Sequence, residues 1–399
     1  METLESALSL LLSHTKPIGR VEEVTLLDAL GRVAAKDILS PMNVPPFDRS
    51  PLDGYAQRSA DIAGASRENP RTLRVVGEVC AGSGEVFFPG AGEAVRVMTG
   101  AQIPDGCDCV IRQEDTDEGT EQVQIYAELS HRQNICFCGE DVQAGSLIVR
   151  AGERLTSAHI GVLASLGVTR VSVYGRVRAA LLCTGDELVQ PGSPLTRGKI
   201  YDSNHAALCA RLAEMGVEVR ALESERDEPE HVAGALCQAA KDADILLTTG
   251  GVSVGKKDIF HQVLPLMGAK RLFWKVALKP GSPLLCALYG DKLVICLSGN
   301  PFAALCCFEL FAKPVIACLA GDRGAVNPRV HAKLSGGFPK KSPGRRLIRA
   351  FFDGERVRLT GENHSSGSLF TMIGCNCLID IPAGSGMLSD GDDVEILLL

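Results

Sequence analysis

Residues 250–258 read Gly-Gly-Val-Ser-Val-Gly-Lys-Lys-Asp. Glycines leave backbone N–H groups open to a ligand, Lys256 and Lys257 add positive charge, and Asp258 is a carboxylate able to hold a metal. Together these are the parts of an oxyanion or phosphate site. The apolar run Ile245-Leu246-Leu247 precedes the loop, and Ile259 to Leu264 follows it with apolar residues at helical spacing. The loop therefore leads from a buried strand into a helix N-terminus, where the helix dipole favours negative charge. Two known motifs come close and fail. Gly250 to Gly255 followed by Lys256 starts like a P-loop, but Lys257 stands where Ser or Thr would ligate magnesium. The three-glycine dinucleotide fingerprint is not met either. A turn of this kind standing alone is as often empty, so the case for a site depends on what else converges on it.

From residue 175 strands and helices alternate. Ala179–Cys183, Val217–Arg220, Leu284–Ala287 and Leu293–Leu297 read as strands. Asp202–Met215, Pro229–Ala240 and Phe302–Leu319 read as helices. Alternation predicts a doubly wound sheet, in which ligands bind beyond the strand C-termini. Three polar loops fall there: Thr184-Gly185-Asp186-Glu187, the Gly250 loop, and Ser298-Gly299-Asn300-Pro301. Thr249, Gly250, Gly251, Ser253, Gly255, Ser298, Gly299, Asn300 and Pro301 are the candidate anion-binding residues. Asp186, Glu187 and Asp258 are the candidate metal ligands, the set of oxygen donors magnesium takes. Lys275 and Lys279 bracket Val276-Ala277-Leu278 and offer charge to an oxyanion. Alone, they would read as two lysines on a solvated loop.

The remaining chain frames this segment. Residues 1–45 and 142–174 share helix-and-strand character, with helices expected at Leu4–Leu12, near Leu26–Leu30 and at Ser157–Leu166. Between them, 46–141 read as a β-rich insertion. Its strands are Leu73–Val79, Ala94–Met98, Cys109–Ile111 and Val123–Tyr126, and Phe47 to Ala56 is taken as a polar turn region. Residues 326–399 return to β, with a hairpin at Asp353-Gly354. The domains are thus 1–45 plus 142–174, 46–141, 175–325 and 326–399. The 399 residues suit several domains, and the net charge of −7 excludes a nucleic-acid binder as the main reading. No apolar run reaches the length of a membrane span, and the acidic N-terminus lacks a signal peptide's basic start, which predicts a cytoplasmic protein. Fifteen cysteines include the C-x-C pairs 107/109, 136/138 and 375/377. In strands, such pairs place both thiols on one face, as core residues in free form.

The order of the motifs resembles the MoeA family of molybdopterin molybdenumtransferases and the related gephyrin E-domain over nearly the whole length. The motifs are Pro45-Pro46-Phe47-Asp48-x-Ser50-x-x-Asp53-Gly54-Tyr55-Ala56, Arg96-x-Met98-Thr99-Gly100-Ala101, Gly139-Glu140-Asp141, Thr184-Gly185-Asp186-Glu187-Leu188, Asp202-Ser203-Asn204, Thr249 to Gly255, Lys279-Pro280-Gly281 and Gly299-Asn300-Pro301. The resemblance implies a composite α/β domain, an inserted β-rich domain, a doubly wound MogA-like α/β domain that binds molybdopterin, and a small C-terminal β-barrel-like domain. It implies a homodimer with a cleft shared between subunits. There adenylylated molybdopterin and molybdate react with Mg2+ and AMP is released. It further implies catalytic roles for Asp53, Thr99, Asp141, Glu187 and Asp258, the first three facing the cleft from the partner subunit. Arg349 and Ser368 join the substrate-binding set. The molybdopterin adenylyltransferase and molybdopterin-dependent apoenzymes are the implied protein partners. The chain departs from the family at Ser282 and Cys136, where Lys and Arg are frequent, and at Ser298, where Pro is frequent. The first two changes remove positive charge. A non-catalytic pterin-binding scaffold, or a variant with another metal choice, is the alternative they raise.

Overall fold

The computed structural model describes residues 1–222, 228–252, 259–324 and 327–399. Ser253, Gly255, Lys256, Lys257 and Asp258 lie outside the described residues. The chain divides into two compact units, one of residues 1–36, 151–156 and 170–399 and one of residues 37–150 and 157–169.

The larger unit is built on a six-stranded sheet in the order Glu218–Ala221, Arg178–Cys183, Ile245–Thr249, Lys292–Leu297, Leu285–Tyr289, Lys270–Trp274. The first four strands are parallel. The last two are antiparallel, added as a meander that the alternation of strand and helix did not foretell. The sheet is buried on both faces because alternate residues serve two cores. Leu181, Ile245 and Leu247 point one way, where Leu4, Leu11, Phe308 and Phe311 pack. Ala180, Leu182 and Leu246 point the other way, against Val232, Leu236, Phe260 and Val263. The helix Ser203–Glu214 is capped by Asp202, whose Oδ1 accepts from the His205 N–H at 3.0 Å. The N-terminal helix Leu4–Ser13 is capped in the same way by Thr3. Val21–Thr25 pairs antiparallel with Arg170–Tyr174, joining two distant stretches of chain. The helix expected near Leu26–Leu30 is absent; residues 26–31 are turns, with Leu27 82% exposed. So short a run, ended by glycine, cannot offset helix nucleation without a packed face.

Pro301–Leu319 is a continuous helix whose middle, Phe308–Ala312, is a π segment. By length and composition it could cross a membrane, contrary to expectation, yet most of it is buried inside the protein. Its one buried acid, Glu309, takes Arg211 Nε at 2.6 Å and Lys313 Nζ at 3.3 Å. Burial alone would raise the Glu309 carboxyl, and these cations outweigh it and hold it below the usual range.

Strands Arg329–Ser335, Arg356–Leu359, Arg346–Phe352, Cys377–Ile381 and Asp393–Leu398 close into a barrel around Leu334, Ile348, Val357, Ile379 and Ile396. The expected hairpin forms. Asp353 Oδ1 accepts from the N–H groups of Glu355 at 2.9 Å and Arg356 at 2.8 Å and turns the chain. Asp380, inside the rim, receives Arg345 Nε at 2.8 Å and Nη2 at 2.6 Å, and Arg329 Nη1 at 2.8 Å.

The smaller unit holds a five-stranded sheet ordered Cys109–Arg112, Gly54–Gln57, Glu93–Val97, Arg71–Val79, Gln122–Ile125. Gly54–Gln57, read from sequence as part of a turn region, is an interior strand. A Cβ at Gly54 would lie 1.9 Å from the Ile111 carbonyl oxygen, so glycine is required by the approach of two backbones. All fifteen cysteines are free. Burial pushes the thiols of Cys107, Cys109, Cys183, Cys307 and Cys377 up to about 12. The 136/138 pair departs from the core reading: it lies outside the sheet strands and Cys138 is exposed.

Candidate functional site

The chain leaves Arg178–Cys183, builds Glu218–Ala221 on one side of it, then returns to place Ile245–Thr249 on the other. The strand order reverses between Arg178–Cys183 and Ile245–Thr249, and a crevice opens beyond their C-terminal ends. A cleft of about 1530 Å³ lies there. The three loops singled out from sequence line it, represented by Thr184, Gly185 and Glu187, by Thr249, Gly250 and Gly251, and by Ser298, Gly299, Asn300 and Pro301.

The loops are locked to one another. Thr184 N–H donates to the Thr249 carbonyl at 2.9 Å. Gly250 has a φ of +89°, and a Cβ there would stand 2.2 Å from the Thr184 carbonyl oxygen. Asn204, beside the cap of its helix, donates from Nδ2 to the Gly299 carbonyl at 2.8 Å, and Asn300 N–H donates to Ser298 Oγ at 3.2 Å. Sequence reasoning gives Asn204 no role of its own. Its signal is its place just past the helix-capping Asp202, at the mouth of a strand-end loop. The result is a cleft floor of interlocked glycine-rich loops and small side chains, which lets a ligand approach the backbone closely.

Lys279 is exposed and lines the same cleft. Its backbone is stitched to the barrel: Lys279 N–H donates to Arg345 O at 3.0 Å and Leu347 N–H to Lys279 O at 2.8 Å. Lys275 is not brought to the cleft. Its backbone is left-handed, φ +71°, and its ammonium sits 4.2 Å from the Trp274 ring centre. Arg349 and Ser368 are also not at the surface of the cleft. Arg349 is fully buried, stacked 4.0 Å over Phe302, and donates to the carbonyls of Asn363 at 2.8 Å, Ser365 at 3.1 Å and Ser368. It thereby shapes the loop 363–368, whose Ser365, Ser366 and Gly367 do line the cleft. Ser366 O also accepts from Phe302 N–H at 3.0 Å, fixing that loop to the helix start. Burial lowers the Arg349 guanidinium from its ordinary value.

Of the metal candidates, Glu187 lines the cleft and Asp186 is exposed next to it. Among the described residues no three His, Cys, Asp or Glu side chains gather into a metal cluster. Magnesium commonly takes one or two carboxylates and completes its shell with water and substrate phosphate, so this pair is a fitting donor set for it.

In the smaller unit, Asp53 Oδ1 accepts from Thr99 N–H at 2.7 Å and from Thr99 Oγ1 at 2.8 Å. These bonds, the backbone one first, hold the Asp53 carboxyl below its ordinary range. Two of the candidates named from sequence are thus one hydrogen-bonded constellation. Asp141 is exposed, with its N–H on the Val44 carbonyl at 3.0 Å.

The comparisons with known proteins cover the same parts. Residues 2–167 match the MoeA N-terminal region (domain I and II), 180–317 a probable molybdopterin binding domain, and 331–399 the MoeA C-terminal region (domain IV). Molybdopterin molybdenumtransferase of Bacillus subtilis is 37% identical over 97% of this chain and 91% of its own length. The protein of that name from Staphylococcus aureus is 35% identical over 94% and 90%. Two crystal structures of the molybdopterin biosynthesis MoeA protein from Pyrococcus horikoshii superpose with TM-scores of 0.85 and 0.87, at 32% and 30% identity, over 99–100% of this chain and 98–100% of theirs. The strand-end cleft, the closed barrel and the inserted sheet, with this likeness end to end, establish that the chain belongs to the MoeA family of molybdopterin molybdenumtransferases.

Proposed function

We propose that this protein completes a molybdenum cofactor: it takes adenylylated molybdopterin and molybdate, transfers the metal to the dithiolene, and releases AMP. The observation that carries the reading is the cleft floor at the sheet's switch point, where Gly250 packs against Thr184 and Asn204 holds Gly299, with Lys279 on the same cleft. The names of the relatives point the same way. The chemistry suits the residues. The loop N–H groups and Lys279 stabilise negative charge that grows on phosphoryl oxygens as the adenylyl bond breaks, and they do so already oriented. The 363–368 loop, held by Arg349, screens the cleft from the barrel side. Asp186 and Glu187 would hold a magnesium ion, with Asp258 as a third candidate; such an ion, when bound, neutralises phosphate charge.

On this reading the protein works as a cytoplasmic homodimer, and Asp53, Thr99 and Asp141 reach the cleft of the partner copy. Asp53 with its Thr99 donors is an ionised carboxylate held in one orientation, which suits a role in placing substrate or metal. The test is release of AMP when molybdate is added to purified protein loaded with adenylylated molybdopterin and magnesium. Tight binding of the substrate with no AMP formed would overturn the catalytic reading in favour of a scaffold.

A further inference from the structure

A separate cavity of about 360 Å³ lies where the end of Lys313–Leu319 meets the tail of the N-terminal helix and the strand Arg170–Tyr174. Its walls are Leu12, Pro17, Tyr174, Pro314, Ala317 and Cys318. Among the described residues it shares no lining residue with the strand-end cleft. Two glycines let the walls close. Gly321, just past the helix, has a φ of +70°, and a Cβ there would stand 2.6 Å from the Tyr174 ring. Gly152 has a φ of +85°, and a Cβ there would stand 2.9 Å from Arg323 Cγ. Tyr174 and Arg323 therefore rest against bare backbone on two sides of the space.

The backbone around the cavity is already paired. Gly321 N–H donates to Cys318 O at 3.0 Å, Asp322 N–H to Ala317 O at 2.9 Å, Arg323 N–H to Gly152 O at 3.0 Å and Ile18 N–H to Leu319 O at 2.8 Å. Cys318 Sγ donates to Thr15 O at 3.7 Å. The walls thus call for an apolar body, because an empty apolar cavity forfeits dispersion along its lining, and such spaces take up apolar molecules. Charge stands at one end. Asp322, with a 3%-exposed side chain, takes Arg154 Nη2 at 2.7 Å and the Gly324 N–H at 2.9 Å. Arg323 is exposed and lines the cavity, and among the described residues its guanidinium has no ion pair or hydrogen bond. Two cations beside one acid leave a single positive charge at the rim.

We propose that this cavity is a binding site for a small monocarboxylate with an apolar body, of the medium-chain fatty-acid kind. Its tail fills the space between Leu12, Pro314 and Ala317, and its carboxylate pairs with Arg323. Charge complementarity decides the head group. The planar guanidinium fork matches a carboxylate through two parallel hydrogen bonds. The Asp322 carboxylate at the same rim disfavours any second negative charge, so a phosphate dianion fits less well than a carboxylate. The walls decide the tail, and the volume lies at the small end of ligand pockets, which limits its length. The site is independent of the strand-end cleft, so it stands or falls apart from the molybdenum reading.

Calorimetric titration of the full chain with sodium octanoate, and separately with 1-octanol, tests this. Octanoate is expected to bind once per chain, and octanol, which lacks the charge, about tenfold more weakly. Arg323→Ala should cut octanoate affinity by about tenfold and leave octanol unchanged. Arg358→Ala, on Phe351 in the barrel, is the control and should bind octanoate as wild type does. Ala317→Leu fills the cavity from a buried wall and should abolish binding of both ligands. Should that variant unfold in a thermal scan, Cys318→Leu fills the space from a half-buried position, and Arg323→Ala, at an exposed residue, keeps the test valid. Equal affinity for octanoate and octanol, or octanoate binding unchanged in Arg323→Ala or in a folded cavity-filled variant, overturns the proposal. Absence of saturable octanoate binding in the millimolar range does so too. Octanoate that shifts the oligomeric state in sedimentation also overturns it, because the cavity then seats a second copy of the chain.

Discussion

Gly250→Ala separates backbone conformation from loop docking. The left-handed φ of +89° makes any L side chain unfavourable there by about 1–2 kcal/mol. The larger effect is steric, because the new Cβ would sit 2.2 Å from a backbone oxygen of Thr184, which no rotamer change relieves. The two loops must part by about 1 Å, and a displacement of that size at a reacting centre costs on the order of 100-fold in rate. Gly268→Ala is the matched control. It has a φ of +72° at the end of Phe260–Met267, and a Cβ there meets nothing within 4 Å. Gly268→Ala should be mildly destabilised in a thermal scan and Gly250→Ala more so. AMP release should fall about 100-fold in Gly250→Ala and stay near wild type in Gly268→Ala. Equal activities in the two variants would refute the argument that loop docking builds the site.

Lys279→Ala should raise the molybdate concentration for half-maximal AMP release. A change in thermal stability alone would assign Lys279 to its barrel bridge. Asp53→Ala and Glu187→Gln chains, each inactive alone, should recover activity when co-expressed, to about half per heterodimer. Heterodimers verified by mass spectrometry yet inactive would reject a cleft shared between copies. Asp380→Asn should lower stability by about 1–3 kcal/mol in urea unfolding, because it removes the buried acid that Arg345 and Arg329 share and leaves each with its outer partner alone, Glu5 and Glu395. Burial would raise this carboxyl, and the hydrogen bonds from Arg345 and Arg329 hold it lower. Its contribution is therefore full above about pH 3.9, the unfolded value, and is lost as pH falls through the lower folded value. A variant whose stability loss is the same at pH 7 and at pH 2 would contradict this.

The parts legible in the sequence were those with local causes. Apolar runs such as Ala179–Cys183 and capped helices such as Ser203–Glu214 announce themselves through period and cap, and they brought the three loops to one end of the sheet. Gly54–Gln57 was missed because glycine signals a turn, whereas here it admits the backbone of Ile111, from a strand far along the chain. Lys275 was placed in the site by its type and spacing. Its left-handed backbone and the Trp274 ring, both consequences of the unread strand Lys270–Trp274, turn it elsewhere. The barrel's contribution to the cleft has no local signature at all. Lys340, Arg346 and His364 line one cleft because a barrel closes, and closure is a property of strand pairing across the whole C-terminal segment.

The π segment at Phe308–Ala312 sets a rotational phase. An α-helix advances about 100° per residue, so one residue gained or lost turns everything beyond it by that angle. Upstream of the segment, Pro301 and Ala303 face the cleft. Downstream, Val315 and Ile316 lie in the core shared with the N-terminal helix. The π segment lets both orientations hold by absorbing the excess residue locally. Removing one residue from 308–312 would let the helix relax to uniform pitch with both ends close to their present faces, whereas adding a residue elsewhere in the helix would turn one end by about 100°. The segment is therefore the place in this helix where a single-residue deletion disturbs the flanking faces least, and in a library selected for folding such deletions should survive there more often than in Pro301–Cys307 or Lys313–Leu319.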